Sequence, residues 1–322
     1  MADDSSLPTS AEYPRTFEEF ESWFDSERAC YDYIGRLRWP QGFQCPHCAA
    51  SGEPWLKNRG LFQCRKCRAQ TSITSGTLFH NTHKSRRTWF LAMWFVTSQK
   101  QGASALGLQR VLGLGSYHTA WGWLHKLRRA MVRPERDRLK GVVEIDETYV
   151  GGRGTGVRGR GAERKALLAI AAEVRGRGPG RIRMARIPDA SAISLRAFMT
   201  ASVGEGAELH TDAWAGYNGI ESLGYRHVVT NISASGDPAH VVMPGVHWVA
   251  SLLDRWWLGT HQGAIRPAHL DYYLDEFTFR FNRRTSRARG LLFYRLMQYA
   301  VTSAPVPYQA IVGGTPKNAH KM

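Results

Sequence analysis

Two short segments carry carboxylates in positions suited to phosphoryl chemistry. In "GVVEIDETYVGG" a β-branched run ends in a double glycine and reads as a strand. Alternation along it puts Glu144, Asp146 and Thr148 on one face and Glu147 on the other. In "AELHTDAWAGY" a second strand ends at Asp212. Carboxylates on neighbouring strand ends can hold two divalent cations roughly 3.5–4 Å apart, an arrangement that serves phosphodiester cleavage. An aspartate at a strand end is more often a cap or turn former, so neither residue decides the matter alone. The segment "PGVHWVASLLDRWW" adds His247 and Asp254, seven residues apart, which share one face of a helix with Ser251 between them. That face is either a metal-binding one or a polar stripe on an amphipathic helix, and the segment leaves both open.

A second chemistry lies nearer the N-terminus. Four of the five cysteines form "CPHC" (Cys45, Cys48) and "CRKC" (Cys64, Cys67), a C-x2-C-x15-C-x2-C spacing. Each pair makes a tight knuckle that can set two thiolates about 4 Å apart on a tetrahedral zinc ion. Disulfides are the alternative, a weaker one in a chain without a secretion signal. Only Trp55, Leu56, Leu61 and Phe62 supply apolar bulk between the knuckles, so zinc is expected to drive the folding of this module. Four thiolates leave no open position, which makes the ion structural. His47 is expected to face solvent, and Cys30 to be a buried free thiol.

The elements that position these groups follow from periodicity. "RRTWFLAMWFVTSQ" is apolar at helical spacing through Trp89, Phe90, Met93 and Trp94. Two further helices, from Ser104 to Leu112 and from about Ser116 to Met131, flank a glycine turn at Gly113 to Gly115 and suggest a helix-turn-helix. Lys126, Arg128 and Arg129 near its end would then meet DNA phosphates. Beyond the basic linker "VRPERDRLK" the order is strand, strand, strand, helix, strand, an α/β pattern with a mixed sheet. A glycine- and arginine-rich loop from Gly151 to Gly161 follows the first strand. The segment from Tyr273 to Val301 is helical, with Tyr273, Phe277 and Phe281 in its core, Asp275 and Glu276 pairing with arginines, and Arg283 and Arg284 as further phosphate contacts.

Composition narrows the partner. The chain has 322 residues, 43 Lys and Arg against 27 Asp and Glu, a net charge of +16 and a pI near 10.0. That excess favours a polyanion, nucleic acid above all, over a merely soluble basic protein. No apolar run reaches the length of a membrane span, and "MADDSSLPTSAEYP" is the opposite of a secretory signal. A cytoplasmic, nucleoid-associated protein with no membrane contact is expected.

The ordered series of zinc-ribbon cysteines, "TSITSGTLFH", "SALGLQR", "AWGWLHKLRRAM", "VEIDETYVGG", "HTDAWAGY", "SLLDRWWLGTHQG" and "YLDEFTFRFNRR" resembles the zinc-ribbon transposases of bacterial insertion sequences. The resemblance runs from about Phe17 to Tyr308. It implies a ribonuclease-H-like catalytic domain of the DDE type that uses Mg²⁺ or Mn²⁺ for strand cleavage and strand transfer. It also implies terminal inverted repeats and target DNA as partners, with a homo-oligomer assembled on DNA. Asp146 matches the first catalytic aspartate and Asp212 the second. His247 matches the third position, where many members have Glu and others Asn or His. Asp254 stands where the family usually has lysine, and Trp248 where a polar residue is usual. A neutral imidazole is a poorer partner for Mg²⁺ than a carboxylate, so His247 would serve in proton transfer or with a softer ion such as Mn²⁺. Asp254, about 10 Å further along the helix axis, is the lesser candidate.

On this reading residues 1–25 are an acidic tail and the start of the first helix, and 26–78 the zinc ribbon. Residues 79–135 are a helical DNA-binding region, 136–300 the ribonuclease-H-like domain and 301–322 a C-terminal tail. The alternatives are an inactive or domesticated DNA-binding derivative and a zinc-ribbon nuclease without transfer activity.

Overall fold

The structure, a computed structural model, describes residues 12–132, 136–151, 165–176, 178–230, 236, 238–262 and 267–313. Most of the loop Gly151 to Gly161 lies outside them, as do parts of the linker and of both terminal tails. The chain divides into two compact units, one joining Met1–Arg133 to Thr285–Gly313 and one centred on Pro134–Arg284. Among the described residues no helix is long and apolar enough to cross a membrane.

In the first unit, α1 (Phe17–Trp23) and α2 (Glu27–Arg38) start at Thr16 and Ser26, whose hydroxyls accept from the N–H groups of Glu19 and Ala29. A small antiparallel sheet follows, β1 (Trp55–Lys57), β2 (Leu61–Gln63) and β3 (Gln70–Ser72), in that order. Helix α3 (Arg86–Ser98) is capped by Ser85 and also by the Glu27 carboxylate, which accepts the N–H groups of Arg86 and Arg87. Helices α4 (Ala105–Leu112) and α5 (Tyr117–Ala130) stand where the sequence places them, capped by Ser104 and Ser116 and separated by Gly113 in the left-handed conformation at φ 59°.

Most of α5 serves packing: from Ala120 onward Ala120, Gly122 to His125, Leu127, Arg128 and Ala130 are all buried. Trp123 stacks on Trp89 of α3 with centroids 3.7 Å apart. Only the first turn, with Tyr117 and His118, is exposed.

The C-terminal boundary also differs from the expected 136–300. Helix α10 (Arg289–Thr302) packs on α2, α3 and α5, so the second unit ends at Arg284. Phe293 is fully buried among Phe20, Phe24, Phe90 and Trp94. A helix carrying Leu292, Phe293, Leu296 and Met297 will fit any apolar cleft, and nothing in its own pattern says which one.

The second unit holds β4 (Val142–Val150), β5 (Ala166–Arg175), β6 (Gly178–Ile187), α6 (Ala192–Ser202), β7 (Glu208–Asp212) and β8 (Arg226–Thr230). Helices α7 (Ala239–Val242), α8 (Pro244–His261) and α9 (Leu270–Phe281) complete it. The sheet order is β6-β5-β4-β7-β8, with β5 antiparallel to both neighbours and β4, β7 and β8 mutually parallel. Strand β8 was not foreseen; "RHVVT" behind Gly224 is a β-branched run that could have signalled it. Helix α6 covers one face of the sheet with Leu195, Phe198 and Met199. Helices α8 and α9 cover the other with Val246, Val249, Leu253, Tyr273, Phe277 and Phe281, the three aromatics being core as expected.

The outer edge of β6 is closed by a side chain. Asn282 accepts the Ile182 N–H at 2.7 Å and donates to the Ile182 carbonyl at 3.2 Å, as a neighbouring strand would. Asn282→Ala is therefore expected to leave the N–H of a buried residue unpaired, while the Ile182 carbonyl keeps its bond from the Arg183 guanidinium. It should lower unfolding free energy by about 1–3 kcal/mol, read from urea denaturation.

Candidate active site

Strand β4 lies at the centre of the sheet, and its parallel register with β7 sets Glu144 opposite His210. Two residues further along, Asp146 and Asp212 stand level on the face covered by α8. Asp146 Oδ1 accepts the Glu147 N–H at 2.8 Å, and Asp212 Oδ1 accepts the Trp214 N–H at 3.0 Å. Burial pushes the Asp146 carboxyl up to about 6; the Glu147 N–H opposes this, while the charges of Asp212 and Glu144 add to it.

Helix α8 brings the third residue. His247 Nε2 lies 3.7 Å from Asp146 Oδ2, and it is a buried nitrogen with no hydrogen-bond partner. Burial holds the imidazole below its ordinary pKa, against a raising effect of the Glu144 charge and with a lowering one from His240. Nε2 therefore faces the Asp146 carboxylate without a hydrogen bond to any protein group. Two carboxylates and an unsatisfied imidazole nitrogen fit a divalent cation of the Mn²⁺ or Mg²⁺ kind. Among the described residues only Cys45, Cys48, Cys64 and Cys67 bring three or more ligand atoms all within 4.8 Å of one another, so the Asp-Asp-His group is more open than that. Asp254 is exposed two turns along α8, and partial burial raises its carboxyl pKa.

Two neighbours of the site carried no role in the sequence reading. Glu147, on the opposite face as its alternation requires, accepts a 2.8 Å hydrogen bond from the buried Tyr217 hydroxyl. Glu144 is buried beside Asp146 and accepts the Val246 N–H of α8 at 2.9 Å. Its place on the Asp146 face was legible from spacing; its partner, 102 residues away, was not.

The cysteines form two knuckles of matching geometry. Cys45 and Cys64 carbonyls accept from Ala49 and Arg68, both residues in the left-handed region (φ 54° and 65°). Sγ atoms of Cys45 and Cys67 lie 3.6 Å apart, and those of Cys48 and Cys64 3.7 Å. His47 is exposed and Cys30 fully buried with its thiol pushed up to about 12, chiefly by burial, as expected.

The expected phosphate contacts divide. Lys126 and Arg129 are half-buried, but Arg128 is 2% exposed and is not placed to meet a phosphate. Arg283 lies over the Phe279 ring at 4.3 Å. Arg284 lies over Phe281 at 4.0 Å and donates to the carbonyls of Pro179, Gly180 and Phe281, beside the Asn282 edge closure. A basic run reads the same in sequence whether it meets DNA or caps carbonyls. Glu276, as anticipated, pairs with an arginine, Arg280, at 2.8 Å. Arg128→Met is expected to lower stability while leaving the salt dependence of DNA affinity unchanged. A true phosphate contact would reduce the log–log slope by about 0.9.

A five-stranded sheet of this order, with two aspartates on its central parallel strands and a histidine on the covering helix, is a ribonuclease-H-like domain. In this chain it is joined to a tetrathiolate zinc ribbon. Residues 138–282 match the ISXO2-like transposase domain, and residues 25–70 the transposase zinc-ribbon domain. A protein of Halobacterium salinarum described as an uncharacterized protein in transposable element ISH50 is 29% identical over 280 residues, 80% of this chain and 91% of that one. The catalytic core domain of BIV integrase is 16% identical with a TM-score of 0.29, over 42% of this chain and 81% of that one. The chain thus carries a transposase zinc-ribbon domain and an ISXO2-like transposase domain, and these matches support a zinc-ribbon transposase of an insertion sequence.

Proposed function

We propose that the chain cleaves DNA strands at the ends of its own mobile element and joins the freed 3′-hydroxyl to target DNA. The observation that carries this is the unsatisfied His247 nitrogen 3.7 Å from Asp146, on a strand level with Asp212. Asp146, Asp212 and His247 would hold Mg²⁺ or Mn²⁺, which supplies positive charge and lowers the pKa of an attacking hydroxyl. The two carboxylates fix the reacting phosphodiester's surroundings from a rigid central strand pair. The His247 imidazole would offer a lone pair to the metal or accept a proton, according to whether Nε2 is engaged. End recognition falls to the first unit. There Arg68 lies over Trp55 at 4.2 Å and Lys57 at 5.7 Å, and the first turn of α5 is exposed. The chain acts on DNA as a homo-oligomer, in the cytoplasm at the nucleoid.

A labelled duplex carrying the element's own flanking end, incubated with the protein and Mg²⁺ or Mn²⁺, tests the reading. Metal-dependent nicking at the end supports it. Tight binding with no nicking under either ion would instead leave a DNA-binding derivative, the reading favoured by the acidic Asp254 on the helix that carries His247.

A further inference from the structure

We infer that Glu144 is a positioning residue: its buried carboxylate caps helix α8 and so holds His247 against Asp146. The inference rests on the reading above in giving that pair a shared task.

Helix α8 has no local cap. Its N-cap residue is Met243, which makes no side-chain cap bond, and Pro244 in the first turn has no N–H. Glu144, 5% exposed, reaches this first turn with Oε2, which accepts the Val246 N–H at 2.9 Å. The approach is close: a Cβ added at Gly245 would stand 2.9 Å from the same oxygen. A carboxylate at a helix N-terminus is stabilised both by the hydrogen bond and by the partial positive charge there, which offsets the cost of burying it.

The arrangement ties two distances together. Val246 precedes His247, and Glu144 lies two residues before Asp146 on one face of the central strand. One strand segment therefore supplies both the anchor of the helix and the carboxylate that its histidine faces. Without the anchor, the Val246 N–H is buried with no partner, and the first turn of α8 is free to rotate or fray. Gly245 belongs to the same device, because a Cβ there would push against the Glu144 carboxylate where it now sits.

The test uses full-length protein labelled with ¹⁵N-histidine, the His247 ring signal being assigned by its loss in His247→Gln. Wild type, Glu144→Gln, Glu144→Ala, Gly245→Ala and the Glu144→Ala/Gly245→Ala double variant are compared in two assays. One is the shift of the His247 signal produced by Asp146→Asn in metal-free protein, which reports their proximity. The other is end cleavage with Mn²⁺.

Glu144→Gln keeps an acceptor for Val246 and is expected to retain the His247 shift and cleavage within about threefold of wild type. Glu144→Ala and Gly245→Ala should each lose the shift and about tenfold in cleavage, with the double variant no worse than either. Gly245→Ala raises helix propensity, so it judges the inference even where Glu144→Ala fails to fold. A Glu144→Gln variant as impaired as Glu144→Ala would overturn it, making the charge itself the working group. So would a Glu144→Ala or Gly245→Ala variant with wild-type shift and cleavage. Wild-type protein that never cleaves counts against the proposed function, while the metal-free shift still decides the role of Glu144.

Discussion

Asp146→Ala is expected to lower metal-dependent end cleavage by about 10³-fold or more while leaving the protein folded. The size follows from what the carboxylate would supply, several kcal/mol of charge stabilisation in the transition state, at roughly tenfold in rate per 1.4 kcal/mol. The second half follows from its surroundings. Asp146 is three-quarters buried beside two other acids, Asp212 and Glu144, and its carboxyl is raised to about 6, so the carboxylate present at pH 7 is less stable in the folded protein than in the unfolded chain. Removing the charge relieves that crowding, so Asp146→Asn should unfold at the same or a higher urea concentration than wild type in magnesium-free buffer. Loss of cleavage together with loss of stability would mean that Asp146 supports the fold instead of the reaction. His247→Ala is expected to cost less, because an imidazole contributes no charge to offset that of the phosphodiester. His247→Glu should keep activity and tilt it from Mn²⁺ towards Mg²⁺, since a carboxylate is the harder ligand.

The zinc ribbon predicts the second large effect. Replacing Cys64 by Ser removes one of four thiolates from a module whose core is Phe43, Cys45 and Cys64, with Trp39 and Phe62 partly buried beside them. So little apolar surface cannot hold three strands of three residues each. Zinc in such sites contributes about 10–16 kcal/mol at pH 7, far more than the ribbon's packing. Wild-type protein should contain about one zinc per chain, and Cys64→Ser none. Trypsin should then cut between Lys57 and Arg68, while α3 and α10, packed through Phe90 and Phe293, stay protected. End binding should fall with the ribbon. Undiminished zinc content, or a protected ribbon in the variant, would show that the fold does not depend on the ion.

Much of the site could be read before any coordinates. Thiol spacing in the ribbon is a local property, because a knuckle spans only a few residues and its geometry follows from them. Strand alternation likewise places Glu144 and Asp146 on one face and Glu147 on the other, and glycine and serine mark the ends of α4 and α5. The pairing of His247 with Asp146 was reachable through resemblance, since the two lie 101 positions apart in sequence and nothing local links them.

Tertiary structure alone decided the rest. Arg128 and Arg284 belong to basic runs, yet one is inside the first unit and the other caps carbonyls of β6. Helix α10 joins the first unit, and Asn282 closes a sheet edge, both through partners far away in the chain. Glu144 anchors the helix that carries His247. In each case the amino-acid type allows several partners of similar energy, and the winner is whichever group the folded backbone brings within hydrogen-bond or van der Waals range. Periodicity and spacing report what a residue can do with its near neighbours. Which distant neighbour it meets depends on how whole helices and strands pack.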